Sequence, residues 1–344
     1  MPAGRQHYGG LDPHTGPIDY ENDSMGMWDQ SAGDTFELPM KRVLRDVVDA
    51  RTRCLGTGGE GSLWQLLLDD GEGKIVYHPP DFKITVDQTI YDGNVKYVGA
   101  SRKTSVIECL QDSNYTRVTA VGAGSATIGM ILSKAEYEAG QPGNEFPAIG
   151  DSVSFSFENV RFEWTRSDAV STPNLFILNN VDNGYITHCD FITTENDTYY
   201  YTPIDCARGV SGFEVSHSYF EINCEDLQGG LWIRSLNHTK PTENIHYHHL
   251  HVVSNTNDEP LSVFADDTTN SGPLRNIKVD HILFEMVGPN CNGPSMTNNA
   301  WGPTGTVNEP IEKPELDFDA HMSNLTVVMW NMNRFCFQLK NAHG

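Results

Sequence analysis

Histidines recur at one position of a repeated phrase, and their chemistry depends on whether they converge on a point or follow a line. The phrase is an apolar residue, any residue, histidine or asparagine, any two residues and a second apolar residue. Its histidine or asparagine is one of Asn159, His188, His217, His249, His281 and Asn324. The intervals between them are 29, 29, 32, 32 and 43 residues. A fixed phrase at such intervals predicts stacked coils of chain, joined by loops of unequal length.

In stacked coils these six polar residues would form a structural ladder. Equivalent residues of neighbouring coils lie about 4.8 Å apart, and histidine and asparagine both offer a donor and an acceptor. We therefore predict a ladder and no metal site, because metal ligands converge on a point whereas a ladder is a line. Three further histidines, His246, His248 and His251, alternate along one predicted strand. Metal binding there is the weaker alternative.

A second set of candidate residues lies in strands upstream of the phrases, at residues 174–180, 203–209, 230–236 and 261–267. Strand alternation places Leu178, Ala207, Ile233 and Ala265 inward. It places an outward row at Asn179, Arg208, Arg234 and Asp266, with Trp232 and Phe264 on the same face. Aromatic rings stack on sugar faces and polar forks bond to hydroxyl or acidic groups, so this row predicts carbohydrate binding. The same face would serve equally well as a subunit interface, with Arg234 and Asp266 paired.

Catalysis on a glycan would need further groups on this face. Hydrolysis uses two carboxylates, roughly 5 to 5.5 Å or 6.5 to 9.5 Å apart, and the candidates are Asp266, Asp267, Glu225 and Asp226. A lyase would instead use an arginine of the outward row as its base, often with calcium. Phosphate-binding loops, nucleophile elbows and dinucleotide glycine patterns do not occur in the sequence. Whether the protein is an enzyme stays open at this point.

The elements that position these residues follow from local patterns. Residues 1–38 are rich in Gly, Asp, Pro and Asn, which predicts an extended docking arm, with a floppy terminus as the alternative. Residues 39–74 predict a cap of two short helices, the first carrying the one-turn apolar spacing of Val43 to Val48. Residues 75–344 alternate short apolar runs with Gly and Asn, which predicts an all-β domain.

Composition narrows the range of partners. The 344 residues carry a net charge of −23, which disfavours nucleic acid as a ligand. No apolar run reaches the roughly 18 residues of a membrane helix, so we expect no membrane insertion. The N-terminal residues lack a signal-peptide layout, which favours synthesis and assembly in a cytoplasm. Seven cysteines without a CxxC pair predict free, mostly buried thiols.

A family resemblance appears in the stretches "GKIVYHPPDFKITVDQTI" (73–90) and "GNVKYVGASRKTSVIECL" (93–110). Their strand pair, the "GA" turn and the following strand resemble the first turns of the pectate-lyase-like right-handed parallel β-helix superfamily, especially bacteriophage tailspikes. The chain departs from that family at "GEGSLWQLLLDDG" (59–71), where an Asp-Asp-Thr cap helix is usual.

The resemblance implies a right-handed parallel β-helix that forms a homotrimer in a virion. It implies attachment to a tail or capsid protein through residues 1–38 and recognition of host-surface polysaccharide. No cofactor is expected, apart from calcium if the protein is a lyase. Three functions stay open: a polysaccharide-binding adhesin with or without slow cleavage, a true depolymerase, and a structural virion component.

Overall fold

The structure is a computed structural model, and most of its described residues are in strands. The chain divides into two units, residues 1–47 and 48–344, and apart from Val47 the described residues belong to the second. The described ranges are 47–54, 67, 71, 73–86, 90–91, 94–111, 130–131, 154–166, 174–179, 181–193, 202–224, 230–235, 241–256, 259–265, 273–288, 291–297, 318–330 and 338–340.

The strands form successive coils with three faces. The first face contains β1 (Val47–Asp49), β2 (Ile75–His78), β5 (Asn94–Gly99), β8 (Ser154–Glu158), β11 (Asp182–Thr187) and β14 (Ser211–Ser216). The second contains β3 (Phe82–Val86), β6 (Ser105–Gln111), β9 (Arg161–Arg166), β12 (Asp190–Thr193) and β15 (Tyr219–Cys224). Three long strands run through both faces: β17 (Thr242–Thr256), β19 (Leu274–Met286) and β21 (Phe318–Met329).

The third face is a separate sheet of eight strands. It contains β4 (Ile90–Tyr91), β7 (Met130–Ile131), β10 (Asn174–Asn179), β13 (Thr202–Arg208), β16 (Leu231–Ser235), β18 (Leu261–Ala265), β20 (Ser295–Thr297) and β22 (Gln338–Lys340). Strands of neighbouring coils pair in parallel on all three faces. The described part of the chain is therefore an all-β parallel β-helix, which confirms the predicted fold class.

The core is made of columns in which the same position of each coil stacks on the next. The last apolar residue of the repeated phrase forms the column Phe162, Phe191, Phe220, Val252, Phe284 and Val327. The Phe191 ring lies 5.0 Å from that of Phe162 and 4.6 Å from that of Phe220, stacked in both cases. This register confirms the alignment of all six copies of the phrase.

The start of the β-helix differs in part from the predicted helical cap. The helix prediction is wrong for Val47–Asp49, which form β1 beside β2 and continue into one turn of 3-10 helix, Ala50–Thr52. The open edge of β2 offers backbone partners to β-branched residues, and this pairing overrides the helical spacing. In the second predicted helix the Gly71 amide donates to the Leu67 carbonyl at 3.0 Å, the spacing of an α-helical bond.

The arm predicted for residues 1–38 lies outside the described residues, as does most of the predicted cap. Among the described residues, no helix is long and apolar enough to cross a membrane. Cys54, Cys189, Cys206 and Cys291 are buried free thiols, as predicted. Burial raises the pKa of Cys189 to about 12, so this thiol is unreactive at neutral pH.

Candidate functional site

The bend between the first and second faces requires a left-handed backbone conformation in six coils. The residues at this position are the six predicted ladder residues, and their φ angles lie between 50° and 56°. Residues other than glycine rarely adopt such φ angles, and Asn and His are among the residues that do so most readily. The bend therefore explains why the phrase carries only Asn or His at this position.

The four bend histidines lie in one stacked column. The ring centroids are 5.0 Å apart for His188 and His217, and 4.9 Å apart for His217 and His249. His249 and His281 are also 4.9 Å apart, with an angle of 2° between their planes. Backbone bonds also join the coils at the bend, because the Asn159 amide donates to the Thr187 carbonyl at 3.3 Å.

The residue before each bend histidine orients the ring in three of the coils. In each of these pairs a side-chain atom of the preceding residue lies within hydrogen-bond distance of Nδ1 of the bend histidine. The pairs are Thr187 with His188 at 3.0 Å, His248 with His249 at 2.7 Å, and Asp280 with His281 at 3.3 Å.

The three alternating histidines of β17 each lie beside an acid of a neighbouring coil. His246 Nε2 is 3.3 Å from Asp280, His248 Nε2 is 3.2 Å from Glu214, and His251 Nε2 is 2.9 Å from Glu285. Burial raises the pKa of Glu214, but hydrogen bonds from Ser216 and His248 outweigh it and the net pKa is lowered.

Two groups of side chains on this surface bring potential metal-ligand atoms within 4.8 Å of one another. They are His217, His248 and His249, and His246, His248 and Asp280. Burial and the charges of neighbouring histidines lower the pKa of His217, which favours its neutral form.

A second polar cluster lies on the third face and joins three coils. Arg234 Nε donates to Oδ1 of Asp205 at 2.8 Å, and its Nη2 pairs with the other carboxylate oxygen. The Asp205 side chain is fully buried, whereas 16% of the Arg234 side chain is exposed. The guanidinium carbon lies 4.9 Å from the Trp232 ring centroid and 5.8 Å from that of Phe264.

The register corrects the predicted outward row on this face. Asn179 lies opposite Arg208, as predicted, but Arg234 lies opposite Phe264 and not opposite Asp266. The inward residue Ile233 lies opposite Cys206 and Val263, where Ala207 and Ala265 were predicted. The prediction counted back from the bend histidines, whereas unequal loops and a bulge after Leu178 shift the third face.

The four carboxylates proposed for catalysis, Asp266, Asp267, Glu225 and Asp226, lie outside the described residues. The backbones of Asn179 and Arg208 are described within β10 and β13, and their side chains are not. The structure brings together Trp232, Arg234 and Phe264 of the predicted binding residues, and it adds Asp205.

Sequence reasoning missed a second column of left-handed bends. It consists of Asn183, Gly212, Asn244 and Asn276, with φ angles of 59°, 65°, 56° and 49°. The Asn276 side-chain amide donates to Oδ1 of Asn244 at 2.8 Å. Each of these residues lies five positions before a bend histidine, so an Asn or Gly at constant spacing is the signal that predicts this column.

No protein-family model matches the chain, and no curated protein matches it either. Among solved structures it is similar to "Geobacillus virus E2 - ORF18" at 12% identity, with a TM-score of 0.42. The alignment covers 91% of this chain, and the chain spans 65% of the length of that protein. At this TM-score the similarity carries no argument about function.

Proposed function

We propose that the protein is a carbohydrate-binding β-helix of a bacteriophage particle and that the outer third face is its binding surface. The observation that carries the proposal is the cluster of Trp232, Arg234 and Phe264, held in place by the buried Asp205. Trp232 and Phe264 are both partly exposed, and their ring centroids lie 6.2 Å apart in an edge-to-face arrangement. Partly exposed rings fixed by polar neighbours suit the apolar faces of sugars.

The ion pair decides which sugars this surface favours. The Asp205 carboxylate occupies Nε and Nη2 of Arg234, so the charge of the guanidinium is compensated within the chain. Arg234 therefore orients the rings, and its Nη1 amino group lies outside this pair. With a net charge of −23 on the chain, we expect a neutral stretch of host-surface polysaccharide to bind better than a strongly anionic one.

Attachment to a virion belongs to the same proposal. It is supported by the β-helix fold together with the sequence resemblance of residues 73–110 to tailspikes. Homotrimer formation and docking of residues 1–38 on a tail or capsid protein follow from that resemblance. Light scattering of the full chain tests the trimer, and a single-chain mass in solution would contradict it.

A structural function is the second candidate, and one observation favours it. The Arg234 fork is already bonded within its own chain, as expected of a face that only stabilises the coils. The β-helix would then act as a rigid virion component without a ligand.

Incubation with polysaccharide separates these functions. The purified full chain is mixed with host capsule and with lipopolysaccharide, and binding, new reducing ends and ultraviolet absorbance of unsaturated products are followed. Binding without products is the expected result. Reducing ends alone would indicate hydrolysis, with Asp266→Asn as the next variant, and absorbance would indicate a lyase. Absence of binding to every polysaccharide overturns the proposal in favour of the structural function.

A further inference from the structure

We propose that the bend on the coils of β14 and β17 binds one divalent transition-metal ion through His217, His248 and His249. This site is independent of the carbohydrate surface, which lies on the third face. A ladder alone is a line and does not converge on a point. His248 supplies a ligand from outside this line, because it precedes the bend and its ring meets the column of bend histidines from the side.

The contacts of His248 decide which of its ring nitrogens can bind a metal ion. Its Nε2 lies 3.2 Å from a carboxylate oxygen of Glu214, and a carboxylate only accepts, so Nε2 carries the proton. The Nδ1 atom of neutral His248 is then a lone-pair donor, and it lies 2.7 Å from Nδ1 of His249. A carboxylate that accepts from the far nitrogen of a histidine is the usual outer partner of a metal-bound imidazole.

The third ligand is His217, from the preceding coil. The His217 ring stacks on that of His249 at 4.9 Å and meets the His248 ring edge-on at 5.8 Å. The ligand nitrogens of the trio lie within 4.8 Å of one another. Bonds of about 2.0 to 2.1 Å in a tetrahedral site place ligand nitrogens about 3.3 Å apart. Rotation of His217 and His249, both exposed, closes this difference.

Binding of the ion moves one proton of His249 from Nδ1 to Nε2 of the same ring. Before the ion binds, His249 donates its Nδ1 proton to His248 across the 2.7 Å contact. The ion takes the place of this proton, which moves through solvent to Nε2 of His249, so three neutral imidazoles coordinate the ion. Three imidazoles suit Zn²⁺, Cu²⁺ and Ni²⁺, and solvent fills the remaining position at this exposed bend.

The alternative trio is less suited to a cation. His246 lies opposite the exposed Lys278 in the register, so a positive charge stands beside that site. Near the proposed trio, Arg102 donates to the backbone carbonyl of His217 at 3.4 Å and pairs with Asp190.

The test uses the untagged full chain, treated with a chelator and titrated with ZnCl₂ in a calorimeter. We expect one ion per chain. The chain itself suggests conservative variants, because Asn occupies the bend position at Asn159 and Asn324, and Ser216 lies opposite His248 in the register. Each of three variants removes one proposed ligand: His248→Ser, His217→Asn and His249→Asn. Each should weaken Zn²⁺ binding by more than the loss of an outer partner does, which costs about 10- to 100-fold.

Two further variants complete the test. Glu214→Gln should weaken Zn²⁺ binding about 10- to 100-fold, while the matched bend variant His281→Asn should leave it unchanged. With CuCl₂, electron paramagnetic resonance should show splitting from imidazole nitrogens that disappears in His248→Ser. Equal weakening by His281→Asn, or retained binding in His248→Ser, overturns the proposal. Loss of binding in His246→Asn and Asp280→Asn, but not in His217→Asn, would also overturn it.

Discussion

The bend column and the outer third face are built on the same coils but hold their side chains in different ways. At the bend each coil contributes an equivalent residue, and each histidine ring stacks on its equivalents in neighbouring coils. On the third face, the residues of one cluster come from three coils and differ in type, as Asp205, Arg234 and Phe264 show. Stacking of equivalent residues holds the side chains of the bend column in place, whereas a single buried ion pair holds those of the third face.

This difference predicts unequal costs for similar substitutions. A repeated position is supported by its backbone conformation, so a side chain that tolerates the bend can replace another. The ion pair has no equivalent in the next coil, because Trp232 lies opposite Asp205 and Phe264 lies opposite Arg234.

Arg234→Ala should have the largest effect. It removes both charge-assisted bonds from the fully buried Asp205 carboxylate, and breaking a buried pair costs about 3 to 5 kcal/mol. Arg102→Ala is the matched variant at the bend, where the pair with Asp190 is longer at 3.5 Å and the Arg102 side chain is 41% exposed. It should cost about 0 to 1 kcal/mol. Chemical denaturation measures both, and equal costs would contradict the comparison.

His78 should make stability depend on pH. Burial lowers the pKa of His78 to about 4, against the usual histidine value of 6.5. The folded state therefore binds fewer protons, so this contribution is complete above pH 6.5 and is lost as pH falls toward 4. The loss amounts to roughly 3 kcal/mol.

The His78 ring bonds to the Tyr97 hydroxyl at 2.8 Å and the Phe82 carbonyl at 2.7 Å. The slope of the unfolding free energy against pH should be smaller in this range for His78→Gln than for the unmodified protein. An unchanged slope in His78→Gln would show that other groups cause the dependence.

Substitution at His217 should separate backbone conformation from ring chemistry. His217→Val places a β-branched residue at a φ of 50° and should cost about 1 to 3 kcal/mol. His217→Asn keeps a residue type that the bend accepts and should change stability by no more than about 0.5 kcal/mol. Midpoints of urea unfolding measure both variants. Similar costs for the two would mean that ring stacking, and not the bend, selects histidine.

Gly212→Asn should have the smallest effect and should be stabilising. Gly212 has a φ of 65° in the second bend column, where neighbouring coils carry Asn183 and Asn244. A Cβ there would lie 2.9 Å from the Asn183 side-chain oxygen, the end of a side chain that can rotate away. Reduced entropy of the unfolded chain should add about 0.5 kcal/mol. A loss of more than about 1 kcal/mol would show that the column excludes a fourth asparagine.

The same comparison explains what the sequence could predict. The phrase around His217 predicts the coils, the core columns and the bend, because all of these depend on spacing within one coil. The Arg234–Asp205 pair could not be predicted, because the register across the third face depends on loops whose lengths differ. β1 was also missed, since Val47 and Val48 have helical spacing but lie beside the open edge of β2.

A binding isotherm for a neutral host-surface polysaccharide, measured with two tryptophan variants, tests whether the third face binds carbohydrate. Trp232→Ala removes the central ring of the third-face cluster, and Trp330→Ala removes an exposed ring (58% exposed) outside it. We predict about 30-fold weaker binding for Trp232→Ala, equivalent to about 2 kcal/mol, and no change for Trp330→Ala. Unchanged affinity in Trp232→Ala, with binding intact in the unmodified protein, would contradict the third face as the binding surface.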